Sequence, residues 1–215
     1  MVFGTALALC LSYALVGGGA NENYSLPMGL DGRTSCKCGH RGDTIFIEAS
    51  ENDTGARFRS RKLLKPPFTV SVFAKAAPSR GLVTAFYLST GEPAPGQPRM
   101  QTEVDFEFLG KDPRGVQTNY FVHGVGDHEE WHKLPFDTSA EEHKYTIDVS
   151  HDVVKWLVDG VQIREEPFTG RFPKMYVYLS LWDASQYEEW AGRVDWSKGP
   201  FHAEFRRLES SKMHG

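Results

Sequence analysis

Glu103, Asp105 and Glu107 fall at alternate positions of the segment Glu103-Val104-Asp105-Phe106-Glu107-Phe108-Leu109-Gly110. In a β-strand successive side chains point to opposite faces, so the three carboxylates would share one face and Val104, Phe106 and Phe108 the other. Any half-exposed antiparallel strand alternates in this way. Three like charges in one row repel, however, and that cost in stability favours a functional reason for them. Four residues of strand rise set the Cα atoms of Glu103 and Glu107 roughly 13 Å apart, and inward-leaning side chains would bring the carboxyls to about 5–7 Å. That separation suits cleavage of a glycosidic bond and spans the boundary between retaining and inverting spacing. In a retaining reaction one glutamate attacks the anomeric carbon. The other, protonated, donates to the leaving oxygen and later activates the incoming acceptor. The charge and hydrogen bonding of Asp105 are expected to raise the pKa of a neighbouring glutamate, as a general acid near neutral pH requires.

The rest of the chain reads as the strands needed to hold such a row. From Asp43 onward, nine apolar-alternating runs are broken by turn residues: 44–49, 68–74, 82–88, 103–109, 116–122, 144–149, 153–158, 175–181 and 201–207. Asp159-Gly160, between Trp156-Leu157-Val158 and Val161-Gln162-Ile163, predicts a two-residue hairpin, because both turn positions tolerate positive φ. Many strands with almost no helical periodicity predict an all-β fold, an antiparallel β-sandwich of jelly-roll type, with a barrel left open by pattern alone. No repeat, heptad pattern or linker divides residues 21–215, and 215 residues fit one all-β domain. A net charge of −4 without a basic run excludes a nucleic-acid binder and suits a neutral polymer.

Residues 4–16 are uncharged and apolar, and Gly17-Gly18-Gly19-Ala20 follows with small residues, so residues 1–20 read as a secretory signal peptide. The n-region has no Lys or Arg, and a buried N-terminal segment is the alternative. The run is shorter than the ~20 residues of a membrane-spanning helix and no second one follows, so membrane insertion is not expected. Asn23-Tyr24-Ser25 and Asn52-Asp53-Thr54 are glycosylation sequons for a secreted chain. Cys10 would leave with the signal. Cys36 and Cys38 are too few for a zinc site and form either a local disulfide or two thiols.

Glu-x-Asp-x-Glu before Gly110, followed by Lys111-Asp112 and Val116-Gln117-Thr118-Asn119-Tyr120-Phe121, resembles glycoside hydrolase family 16. The resemblance runs on through Gly124-Val125-Gly126-Asp127-His128-Glu129, Phe136-Asp137, His143-Lys144-Tyr145-Thr146-Ile147-Asp148 and Lys155-Trp156-Leu157-Val158-Asp159-Gly160. It ends with Leu181-Trp182, Glu189-Trp190-Ala191-Gly192 and Asp195-Trp196-Ser197-Lys198-Gly199-Pro200-Phe201, covering roughly residues 43–208. It implies a jelly roll whose concave sheet forms an open polysaccharide cleft, with retention of anomeric configuration. By resemblance, Glu103 is the nucleophile, Asp105 the assisting carboxylate and Glu107 the general acid/base. Arg59 matches a cleft arginine, Asn119 and Trp182 match positions that touch sugar, and Tyr87, Phe121 and Trp190 match aromatic cleft positions. Flat aromatic faces stack on the C–H faces of glucose rings while Asn and Arg bond hydroxyls; core packing is the alternative for Tyr87, Trp182 and Trp190.

Gln101-Thr102 departs from the family resemblance, since the relatives usually carry an aromatic residue or His and then Asp before the first glutamate. Arg57 stands where the bacterial lichenases carry an acid, and the segment before Asp43 is shorter than theirs, which puts the first strands in doubt. Gly-Val-Gly-x-His-Glu resembles the lichenases, which cut β-1,3-1,4-glucan. Phe106 and Ile163-Arg164 resemble plant xyloglucan endotransglucosylase/hydrolases, while Val116 to Phe121 and Ser197 to Phe201 also resemble fungal chitin-glucan transglycosylases. The sequence after Phe201 lacks the cysteine-rich extension of the plant xyloglucan enzymes, which favours a compact endo-β-glucanase. Transglycosylation is the first alternative and a non-catalytic lectin-like module the second. The expected partner is a β-glucan polysaccharide, acted on by a secreted monomer without a cofactor. Some relatives bind calcium on the sandwich, and no ligand set for it maps onto this sequence.

Overall fold

The computed structural model describes residues 24–31, 36–91, 98, 100–168 and 171–212. The signal-peptide segment, Cys10 and the sequon residue Asn23 lie outside them. The strands, in chain order, are β1 (Tyr24–Ser25), β2 (Met28–Leu30), β3 (Cys38–Arg41), β4 (Thr44–Ala49), β5 (Gly55–Ser60), β6 (Phe68–Lys75), β7 (Leu82–Ser89) and β8 (Glu103–Leu109). They continue with β9 (Gly115–Phe121), β10 (Glu130–Lys133), β11 (His143–Val149), β12 (Val153–Val158), β13 (Val161–Pro167), β14 (Tyr176–Asp183) and β15 (Phe201–Lys212). One four-residue helix, α1 (Glu188–Ala191), follows β14.

Two antiparallel sheets stack as a jelly roll. One has seven strands in the order β10-β9-β8-β7-β14-β5-β2; the other has eight, β13-β12-β11-β6-β15-β4-β3, with β1 paired to β15. Alternation decides which side chains meet between them. Phe86, Phe106, Val116, Val177 and Leu179 of the first sheet are fully buried against Val70, Val72, Ile147 and Trp156 of the second. Each such side chain contributes about 1.5–3 kcal/mol by leaving water. Tyr145 closes edge-on against Phe106 and Phe108, with centroids 5.5 and 4.6 Å away. The Trp156 indole, on the opposite sheet, donates from Nε1 to the backbone carbonyl of Asp105 at 2.9 Å. An unbonded acceptor at that depth would cost about 1–3 kcal/mol, so this bond fixes the middle of β8 from behind. At one edge, the buried Arg164 of β13 reaches the carbonyl and hydroxyl of Thr118 on β9, at 3.1 and 2.9 Å.

All nine alternating runs are strands. Asp159 and Gly160 have φ of 50° and 82°, the left-handed pair expected of the β12–β13 hairpin. Of the two alternatives for Cys36 and Cys38, the structure has the disulfide. β15 runs past the anticipated end at Arg207, because Arg207 takes a positive φ of 51° in a bulge and pairing with β6 resumes at Glu209. The first strands, β1, β2 and β3, lie before Asp43 and pair with β15, β5 and β4.

Candidate active site

Strand pairing determines what stands beside each carboxylate. On the outward face of the seven-stranded sheet, Glu103 is opposite Ser89 of β7 and Phe121 of β9. Asp105 is opposite Tyr87 and Asn119, and Glu107 is opposite Ala85 and Gln117. Tyr87 then meets Tyr178 of β14, which meets Arg59 of β5. A single row of side chains, Arg59-Tyr178-Tyr87-Asp105-Asn119, therefore crosses the sheet perpendicular to its strands.

Asp105 is only 4% exposed, and its Oδ1 has no hydrogen-bond partner among the described residues. Burial, followed by the charges of Glu107 and Glu103, raises its pKa well above the carboxylate range. Glu107 is pushed up to about 8, by burial first and then by Glu103 and Glu129. The repulsion between Asp105 and Glu107 falls on Asp105, beside the burial of both carboxyls. Desolvation is the largest cause for each, and Glu103 and Glu129 add to the rise of Glu107. A carboxyl holding its proton can donate both a hydrogen bond and a proton.

These shifts carry a stability consequence with a definite sign. The folded-state pKa of Glu107, about 8, lies above the ordinary value of 4.5, so between them the folded protein binds a proton that the unfolded chain releases. Stability is therefore lost as pH rises across that interval. We expect Tm to be lower at pH ~8.5 than at pH ~5, and Glu107→Gln to lose less over the same range. Equal losses in the two proteins would show that the carboxyl is not perturbed.

The flanks are aromatic and cationic. Tyr87 stacks on Tyr178 with centroids 4.7 Å apart, and Arg57 and Arg59 lie over the rings of Tyr178 and Tyr176. Asp31 pairs with Arg57 at 2.9 Å and approaches Arg59 at 3.8 Å, so Arg57, in the place of an acid, brings its own counter-charge. Asn119 donates from Nδ2 to Glu129 at 3.3 Å and accepts from the Tyr120 amide at 2.8 Å. Trp182 and Trp190, 6.0 Å apart, pack on a small cluster of Val83, Leu109, Ala184 and Ala191 at the Glu107 end of the strands. Both remain partly exposed, so packing and an open aromatic surface coexist there. Trp190 also donates to Gln117 Oε1 at 3.0 Å. Gln101 and Thr102 tie down the turn beside Phe121, where the Gly124 amide donates to the Gln101 carbonyl at 2.8 Å.

All nine anticipated residues thus lie on one face. Glu103, Asp105, Glu107, Tyr87, Asn119 and Phe121 are immediate neighbours, whereas Arg59, Trp182 and Trp190 stand one or more strands away. Tyr178, Gln117, Asp31 and Glu129 went unnoticed. Tyr178 and Gln117 share the alternation of Trp182 and Asn119 and were within reach of the strand pattern; Asp31 and Glu129 flank short strands without apolar periodicity. Among the described residues no group of three or more His, Cys, Asp or Glu is arranged to hold a metal ion.

Residues 32–198 match the family model described as glycosyl hydrolases family 16. The chain is 38% identical over 175 residues to a probable xyloglucan endotransglucosylase/hydrolase protein 6 of Arabidopsis thaliana, covering 74% of this chain and 57% of that protein. It is 35% identical over 136 residues to a beta-glucanase of Paenibacillus macerans, covering 62% and 55%. It thus spans little more than half the length of either relative. Its fold superposes on the Bacillus licheniformis beta-glucanase with a TM-score of 0.73 at 26% identity, covering 90% of this chain and 95% of that one.

Proposed function

Because this chain belongs to glycosyl hydrolase family 16, we propose that it is a secreted endo-β-glucanase that cuts β-1,3-1,4-glucan or xyloglucan-type polysaccharide by double displacement. The observation that carries this reading is the carboxylate row of β8, with Glu107 raised to about 8 on a face lined by Tyr87, Tyr178 and Arg59. Glu103 attacks the anomeric carbon as Glu107 protonates the departing oxygen. Glu107, now ionised, then draws a proton from the acceptor that releases the sugar from Glu103. Asp105, between them on the same face of the strand, is the assisting carboxylate. Secretion accords with the apolar N-terminal segment and with the Cys36–Cys38 disulfide, a bond that persists in oxidising compartments.

Whether water or a sugar hydroxyl accepts the glycosyl group depends on acceptor affinity and water exclusion. The similarity to a xyloglucan endotransglucosylase/hydrolase keeps transfer as the second reading. Mass spectrometry of products from barley mixed-linkage glucan, xyloglucan, laminarin and chitin oligosaccharides, with and without a labelled acceptor, separates the two. Short unlabelled products establish the hydrolase and name its polymer, and lengthened labelled products establish transfer. Binding without either product would leave a lectin-like module.

A further inference from the structure

Trp131, on the edge strand β10, is 40% exposed. Its Cα partner across the pair is Gln117, whose partner in turn is Glu107, so Trp131 extends the Glu107 row to the border of the sheet. Two inter-strand spacings, ~10 Å, separate it from Glu107. The six-membered ring of the indole lies over Gly115 of β9, where any added Cβ would collide with its Cζ2 and Cε2. The glycine therefore acts as a floor that lets one face of the indole settle against backbone. Gln117, between Trp131 and Glu107, is buried and held by Trp190. The aromatic surfaces of Tyr87, Tyr178 and Trp182 all lie on the other side of β8.

We propose that Trp131 is a sugar-stacking platform on this floor, forming a distal subsite for the half of a β-glucan chain that lies over β9 and β10. The inference rests on the proposed function and adds what holds the polymer on the side away from Tyr87 and Tyr178. The C–H face of a glucopyranose ring matches the open indole face, and Glu129 and Lys133, at alternate positions on either side, offer partners to its hydroxyls. Aromatic surface on both sides of the carboxylates suits a chain gripped in its interior, as endo cleavage requires.

The substitutions that test this are Trp131→Leu, which still covers the strand edge, and Trp131→Tyr, which keeps a stacking face. Affinity electrophoresis through gels containing mixed-linkage glucan or xyloglucan is run in the Glu103→Gln background, alongside KM for oligosaccharides of increasing length in the active protein. Trp131→Leu is expected to weaken retention and raise KM for long chains about tenfold, with little effect on trisaccharides, and Trp131→Tyr to restore most of both. Retention and KM unchanged in Trp131→Leu would overturn the subsite while leaving the hydrolase reading intact. Conversely, lost retention in Trp131→Leu with no glucan cleaved by the parent would uphold the subsite and remove the hydrolase reading.

Discussion

Glu103→Gln should lower kcat on β-glucan by at least ~10³-fold, the scale on which loss of a catalytic nucleophile is felt, while the protein still folds and still binds polymer. Glutamine conserves the volume and polarity of the side chain, but its amide cannot form the glycosyl ester. Folding should survive for an electrostatic reason. The charge of Glu103 is one of the causes that raise Glu107 and Asp105, so removing it relieves repulsion in the row and lowers both pKa values. Urea titration at neutral pH should show stability equal to or above that of wild type, and the variant should still be retarded by glucan in a gel. Full turnover in this variant would exclude Glu103 as the nucleophile; lost turnover together with lost folding would make its role structural.

The parts of this molecule that could be read from sequence are those governed by period. Val104, Phe106 and Phe108 alternate with Glu103, Asp105 and Glu107, and all three apolar side chains are buried as that alternation requires, whereas on the carboxylate face Glu103 and Glu107 are half-buried and Asp105 is buried too. The strands that escaped notice carry no such signal. β10 is Glu-Trp-His-Lys and β3 is Cys-Gly-His-Arg, with few apolar side chains to mark an inner face. β5 hides its alternation behind Arg57 and Arg59, because only Ala56, Phe58 and Ser60 turn inward. The site divides along the same line. The carboxylate row, Tyr87 and Asn119 are fixed by strand parity together with the family resemblance. The stacking of Tyr87 on Tyr178 and the pairing of Asp31 with Arg57 depend on which strands become neighbours. β14 inserts between β7 and β5 from far along the chain, and no local pattern encodes that order. The burial of Asp105 is likewise invisible in the local pattern, because its depth is set by the side chains on adjacent strands.

Glu107→Gln separates the two halves of the reaction, and its effect should depend on the leaving group. On β-glucan the sugar oxygen needs a proton to depart, and kcat should fall by roughly 10²–10⁴-fold, about 3–5 kcal/mol of transition-state stabilisation. An aryl β-glucoside with an acidic phenol leaves without that proton, so formation of the ester on Glu103 should be largely spared. Hydrolysis of the ester still needs Glu107 as base, so the phenol should appear as a burst of about one equivalent per enzyme, with the glycosyl group found by mass on the Glu103 peptide. The pH profile provides an independent check. With wild-type Glu107 at about 8, activity on glucan should fall as pH rises through that value, since the general acid is lost. Glu107→Gln should lack that limb because glutamine does not titrate. A loss equal on both substrates, or an alkaline limb that survives the substitution, would assign the proton to another group. Asp105 would then be the first to test, because burial already holds its proton on the same strand.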